Sequence, residues 1–286
     1  MTAATTTAAR PAVADLHLHS HHSDGLLAPA ALMRLAAERG VGTAALTDHD
    51  TTAGCDEAAT ACAAAGLRFV PGVEVSVGWN GLSLHVLGLG VDTGSLDLEA
   101  HLALVRTLRR ERLAEIGERL ERRAGLPGRE LVAGVCAGTA VPTRLHLARA
   151  LVALGHARDE AESFKKFLGR GTPGHVPMAW PAVERAIVAL RAAGGVAVLA
   201  HPHRYGASGG ALRRLVGAFR DAGGQGLEVS MAGMSPRDRD RLATLARGHA
   251  MLASTGSDFH DPALPWNPPG RFDKLPADLD HVAATL

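Results

Sequence analysis

The order of strand and helix signals predicts an α/β fold, a distorted (β/α) barrel interrupted by an all-helical insertion. Three observations carry this. About seven strand-like runs are present, six or so of them alternating with amphipathic helices. The block from about Ser95 to Trp180 carries helix signals only. The sequence has neither a G-x-G-x-x-G fingerprint nor a P-loop, which disfavours a doubly wound nucleotide-binding sheet. At 286 residues the chain is long enough for one large barrel or two ordinary domains. The expected division is a disordered Ala/Thr-rich leader over 1–12, a barrel from 13–95 and 181–286, and a helical insertion over 96–180 capping the site.

Val13 to His19 is expected as the first strand. Pro29 and Gly40 bracket a helix over Ala30 to Arg39. Thr43 to Thr47 is the second strand, a helix follows near Asp56 to Ala65, and Leu67 to Val77 is the third strand. Asn80-Gly81 signals a two-residue hairpin that pairs Trp79 with Leu82, Val77 with Leu84 and Ser76 with His85. Glu74 and His85 then become diagonal neighbours on one face, roughly 7–8 Å apart at the backbone.

In the helical block, Asp97 to Arg123 forms one long helix, Gly125 to Gly138 a linker, and Thr143 and Asp159 cap two further helices. The arginines of the long helix alternate with Glu111, Glu115, Glu118 and Glu121, as on a solvated face with i,i+4 pairs, or on a surface for a polyanion. Alternation resumes with a helix over Pro181 to Ala193 and strands at Val196 to Ala200, Gly226 to Ser230 and Met251 to Thr255. Helices over Ser208 to Ala222 and from Ser235-Pro236 to Gly248 separate those strands.

A net charge of +1 argues against a generically basic nucleic-acid binder while leaving room for a local patch. No DNA-specific readout is expected. Three cysteines without a C-x-x-C pair fit reduced thiols in a cytoplasmic protein. No apolar run of membrane-spanning length occurs, so no membrane association is expected.

Histidine, aspartate and glutamate gather where strands end. His17 and His19 sit two apart on a strand, so both imidazoles point the same way, with Asp24 following. His49, Glu74 with His85, His201, and Asp258 with His260 complete a set of nine. Each cluster alone also suits buried or exposed histidines. Barrel strand ends converge on one mouth, however, and nine donors exceed the roughly four that one zinc needs. That implies two or three ions sharing a carboxylate.

His17-x-His19, Leu46-Thr47-Asp48-His49-Asp50, Pro71-Gly72-Val73-Glu74, Ala200-His201-Pro202 and Gly256-Ser257-Asp258-Phe259-His260 resemble the motifs of the polymerase and histidinol phosphatase (PHP) family. Pro142-Thr143-Arg144 and Phe164 to Gly171 are similar to its TrpH-like, or RNase AM-like, branch. The resemblance implies a distorted (β/α)7 barrel and three metals, most simply manganese, with iron or zinc as alternatives. The first would take His17, His19, Glu74 and Asp258, the second Glu74, His85 and His201, and the third Asp24, His49 and His260. Asp15 and Asp48 would orient imidazoles.

The implied activity is removal of the 3′-phosphate from nucleoside 3′,5′-bisphosphates or attack on nucleoside monophosphates, with 5′ trimming of short RNA in some members. In-line attack by a metal-bridging hydroxide suits these groups. Arg144 at a helix start, Lys166 and Arg204 are the expected phosphate contacts. His203 is a further candidate for protonating the leaving oxygen. The alternative is an amidohydrolase-type C–N hydrolase, whose barrels also open with H-x-H.

Overall fold

We analysed a computed structural model that describes residues 13–286; the leader expected over 1–12 lies outside the described residues. Seven strands are hydrogen-bonded in chain order: β1 (Val13–Asp15), β2 (Val41–Leu46), β3 (Arg68–Trp79), β4 (Leu82–Leu89), β5 (Val196–Leu199), β6 (Gly226–Met231) and β7 (Leu252–Gly256). All neighbours run parallel except β4, which is antiparallel to both β3 and β5. The first and last strands close the barrel. Leu16 N donates to Thr255 O at 3.0 Å and Asp258 N to His17 O at 2.9 Å, beside a parallel bridge between Leu18 and Phe259.

Period-two side-chain alternation sorts the strands into an inside and an outside. Leu16, Leu87, Leu89, Val196, Val198 and Ala200 fill the interior with Val282 from the C-terminal segment. Ala197 and Leu199, from the same β5 region, instead join the outer core under the helices. Helices α1 (Pro29–Glu38) and α2 (Cys55–Ala65) cover β1 to β3, with Pro29 at the first turn and Gly66 left-handed at φ 71° closing α2.

The hairpin has the expected register, Trp79 to Leu82, Val77 to Leu84 and Ser76 to His85, turning on Asn80 and Gly81, both at positive φ. The first strand is shorter than expected. It ends at Asp15, and His17 to His19 continue as an extended segment tied to β7 and to Thr47.

Between β4 and β5 the structure has helices only. They are α3 (Leu96–Ala124), α4 (Gly128–Gly138), α5 (Arg144–Ala153), α6 (Glu160–Ser163) running into a π-helical turn (Phe164–Leu168), and α7 (Val183–Ala192). Ser95, Thr143 and Asp159 cap α3, α5 and α6 through their side-chain oxygens. The stretch expected as a linker is instead α4. Its first glycine is a contact point, since a Cβ on Gly128 would meet Gly117 O of α3 at 2.0 Å. Leu113, Ile116, Leu120, Leu131, Leu147 and Leu168 make a core of their own there. Helices α8 (Gly209–Asp221) and α9 (Pro236–Gly248) complete the outer layer.

Candidate active site

The segments just past β1, β2, β5 and β7, with the middles of β3 and the reversed β4, converge on one buried cluster. Glu74 is its centre. One carboxylate oxygen, Oε1, lies 2.8 Å from His201 Nε2, 3.1 Å from His85 Nδ1 and 3.4 Å from His17 Nε2. The other lies 3.0 Å from His49 Nδ1 and 3.3 Å from His19 Nε2. Asp258 Oδ1 is 3.3 Å from both His17 and His19, whose Nε2 atoms face each other at 3.1 Å. Asp24 reaches His260 at 3.2 Å and His49 at 3.8 Å.

These donors fit cations better than they fit one another. Asp24 Oδ1 and His49 Nδ1 are buried and close to neighbours, yet neither makes a hydrogen bond. Their lone pairs converge on shared points. Three sets of donor atoms each lie within 4.8 Å: His17, His19, Glu74 and Asp258; His19, Asp24, His49 and His260; and His49, Glu74 and His85. The protonation pattern without cations is frustrated. Burial opposes charging His17, yet Glu74, Glu228 and Asp258 hold it well above its ordinary pKa. Burial pushes His49 well below its own.

Backbone strain accompanies the site. His201 (φ 30°), Asp258 (φ 54°) and Asp50 (φ 48°) are left-handed without being glycine, a conformation costing about 1–3 kcal/mol each. Gly256 allows close packing there, because a Cβ would meet His17 Cβ at 2.3 Å.

Outside the donors, Glu228 on β6 is fully buried. It lies 3.0 Å from His17 Nδ1 and accepts from His201 N at 2.6 Å. Asp48 accepts from Ser20 N, Ser20 Oγ and Ser23 Oγ, and touches His19 only through Ser23, 3.4 Å away. Asp15 orients no imidazole. It accepts from Ser257 N and Gly270 N at 2.9 and 2.8 Å, and burial pushes its carboxyl up to about 6. It is the short β1 that leaves Asp15 beside the closing strand instead of beside the histidines.

A cavity of about 150 Å³ opens from Asp24, His49 and His85 toward α3 and α5. Its far wall carries Arg109, Arg112 and Arg144. Arg109 is buried, donating from Nε to Asp50 Oδ2 at 2.5 Å and from Nη2 to Ser76 Oγ at 2.7 Å. Arg112 donates only to Val176 O and has no carboxylate partner among the described residues. Both guanidiniums lie over Trp180, at 5.4 and 5.9 Å, and Arg144 lies 5.6 Å over Phe164. Burial first, then Arg144 and Arg109, push Arg112 down to about 9; burial and Arg109 lower Arg144. Three cations held together in this way form a receptor for an anion.

The PHP domain model matches residues 15–120. The chain is 44% identical to the 5′-3′ exoribonuclease Rnm of Salmonella typhimurium, over 95% of this chain and 92% of that one. It is 41% identical to the 3′,5′-nucleoside bisphosphate phosphatase of Chromobacterium violaceum, over 92% of each. The chain belongs to the PHP family. Two solved structures share the PHP fold along its length. One from Chromobacterium violaceum, named an amidohydrolase and holding sulfate without metal, superposes with TM-score 0.89 at 39% identity, covering 96% of this chain and 95% of that one. One from Bifidobacterium adolescentis, described as a metal-dependent phosphoesterase, gives TM-score 0.79 at 30% identity with the same coverage.

Within this PHP barrel all nine sequence-predicted donors lie in one cluster, and Arg144 lines the adjoining cavity. The remaining expected contacts are placed otherwise. Lys166 faces outward from the π-helical turn, paired with Glu162 at 2.9 Å, and does not line the cavity. Arg204 stands at the rim with its guanidinium paired to Asp258. His203 is half-buried beside Arg204 and away from the cavity lining, its pKa lowered by burial and by that arginine. Arg109 and Arg112 do not sit on a solvated face; they turn inward, as do Asp50 and Trp180, which sequence reasoning left without a role. A weak signal existed, in that Arg109, Arg112 and Ile116 share a helix face through spacings of three and four.

Proposed function

We propose that this protein hydrolyses phosphoesters of small nucleotides, removing the 3′-phosphate of nucleoside 3′,5′-bisphosphates and trimming short RNA from its 5′ end. Residues 13–95 and 181–286 serve as the catalytic barrel and 96–180 as its cap, acting in the cytoplasm where such substrates and reduced thiols occur. The observation that carries this reading is continuity: one cavity joins the nine-donor cluster to three guanidiniums. A substrate with two phosphates has a group for each end.

His17, His19, Glu74 and Asp258 would hold one divalent cation, Glu74, His85 and His201 a second, and Asp24, His49 and His260 a third, manganese being the first choice. Bound there, such ions neutralise phosphoryl oxygens and bring water within reach of ionisation near neutral pH. The chain's own residues do the rest. Arg112 and Arg144 grip the distal phosphate, Asp50 and Ser76 aim Arg109, and the aromatic faces of Trp180 and Phe164 fix the guanidinium planes. Glu228 holds His17 in the tautomer that turns Nε2 inward. The relatives named above act on a bisphosphate and on RNA, and the Chromobacterium structure holds sulfate, an anion of phosphate's shape.

The amidohydrolase reading draws on that structure's name. Against it, Lys165 and Lys166 lie in the π-helical turn and Lys274 in the C-terminal segment, so no barrel strand supplies a lysine for a bridging carbamate. The test is phosphate release by the manganese-loaded protein from nucleoside 3′,5′-bisphosphates and 5′-monophosphates, with oligoribonucleotide shortening and cyclic-amide hydrolysis run alongside. Release from the bisphosphate is expected. Inactivity on every phosphoester would overturn the reading.

A further inference from the structure

We propose that Trp266 is a stacking platform for the bases of an RNA substrate that extend past the nucleotide held in the cavity. This rests on the reading of the site as a phosphoesterase that accepts RNA. Aromatic residues make up only 3% of the sequence, and Trp180 is buried while Trp79 packs on the outer core. Trp266 alone of the three tryptophans is openly displayed, at 61% exposure. It stands between two grooves of about 650 and 680 Å³. One has Met231, Met234 and Phe272 as apolar wall and Arg271 as its cation, its Asp273 being paired with Arg239; the other runs to Leu264 along α5 and is the more acidic, with Asp159, Asp261 and a Glu160 that pairs with Arg149.

The segment that carries Trp266 is fastened to the active site itself. Asn267 Nδ2 donates to Asp258 O at 3.1 Å and Gly270 N to Asp15 Oδ2 at 2.8 Å. Arg149, in the second groove, donates to Asp24 O at 2.7 Å. Arg149 thus ties the second groove to the backbone of Asp24, and Asn267, next to Trp266 in the chain, is tied to that of Asp258. Arg271 is exposed and has no carboxylate within salt-bridge distance among the described residues. An exposed indole with an apolar wall, beside a guanidinium that donates only to Pro265 O at 3.3 Å and faces no carboxylate, matches a nucleotide, which offers a flat base and a phosphodiester together. An apolar peptide would leave that guanidinium unused.

The test is a length series of 5′-phosphorylated oligoadenylates, with a nucleoside 3′,5′-bisphosphate as the shortest substrate, on wild type, Trp266→Ala and Trp266→Phe. For chains of three or more nucleotides the alanine variant should lose about tenfold in kcat/KM through KM, the contribution of one stacked base, and phenylalanine should restore most of it. Bisphosphate hydrolysis should be unchanged. Equal rates for wild type and alanine variant at every length would overturn the platform and leave the phosphoesterase reading intact. If wild type hydrolyses nothing, that reading fails, and tryptophan fluorescence decides the platform separately: oligoadenylate should quench wild type more than Trp266→Ala, whose remaining response belongs to Trp180 in the cavity wall, and equal quenching of the two would overturn it. A wild-type dimer that Trp266→Ala converts to monomer in sedimentation would assign the face to a second copy and also overturn the proposal.

Discussion

Replacing Arg112 with methionine separates binding from stability. The guanidinium sits in the cavity wall beside Arg109 and Arg144, with Val176 O as its only hydrogen-bond acceptor. Lowering from 12.5 to about 9 corresponds to roughly 5 kcal/mol against the charged form. Arginine remains protonated at neutral pH, below both values, so this cost is present in full between about pH 5 and 8 and would be lost only as pH rises through about 9. Methionine keeps much of the stem and removes the charge. It also leaves Val176 O without its donors, a loss of about 2 kcal/mol. The net expectation is a gain of about 2–3 kcal/mol for the anion-free protein, or roughly 3–5 °C in Tm at this chain length. Inorganic phosphate should raise the wild-type Tm and leave that of Arg112→Met nearly unmoved, while KM for the bisphosphate rises at least about tenfold. Differential scanning fluorimetry with and without phosphate checks the first claim and steady-state kinetics the second. A variant that melts lower without anions and keeps the phosphate shift would refute the view of these arginines as a frustrated receptor.

Glu228→Gln should weaken manganese binding by about 10–100-fold with little change in the circular dichroism spectrum, because the amide orients His17 less well; titration of the apoprotein reads this. Chelator treatment should abolish phosphate release and lower Tm, since Asp24, Glu74 and Asp258 then face one another across a buried space, and added manganese should restore both. An unchanged Tm after verified removal of metal would count against a cation-filled cluster. Cys55 and Cys62 are buried and their thiols are pushed up to about 11, so a thiol reagent at pH 8 should modify one cysteine of the native chain, Cys136, and three after unfolding.

The sequence made the barrel legible because its punctuation is local. Asn80-Gly81 sets the hairpin register by turn chemistry alone, and that register carries Glu74 and His85 to one face. Strand-end histidines become neighbours in any closed parallel barrel, so the nine donors needed no side-chain detail. What stayed hidden depends on tertiary direction. Glu228 is a lone acid in an apolar strand, and only the pleat shows that it faces His17. Arg109 and Arg112 share a helix with glutamates that do pair on the surface, such as Glu115 with Arg119. Periodicity cannot say which arginine meets a second element. The glycine-bounded stretch from Gly125 to Gly138 reads as a linker because propensity disfavours glycine in helices, yet the α3–α4 crossing at Gly117 requires a glycine at 128.

The reversed direction of β4 governs the reach of α3. Because β4 descends, the chain leaves the barrel at the end opposite the mouth and must climb back. The 29 residues of α3 give it about 44 Å, and Arg109 sits about 20 Å above Leu96. Leu98 and Leu102 grip the outer core on the way up, Val105 is buried one turn on, and Leu113, Ile116 and Leu120 enter the cap's core beyond. The helix is therefore a ruler: one residue added between Ser95 and Arg109 would lift both arginines by only about 1.5 Å but turn them through about 100°, away from the cavity. Downstream of Leu120 the same addition would leave the grip in register.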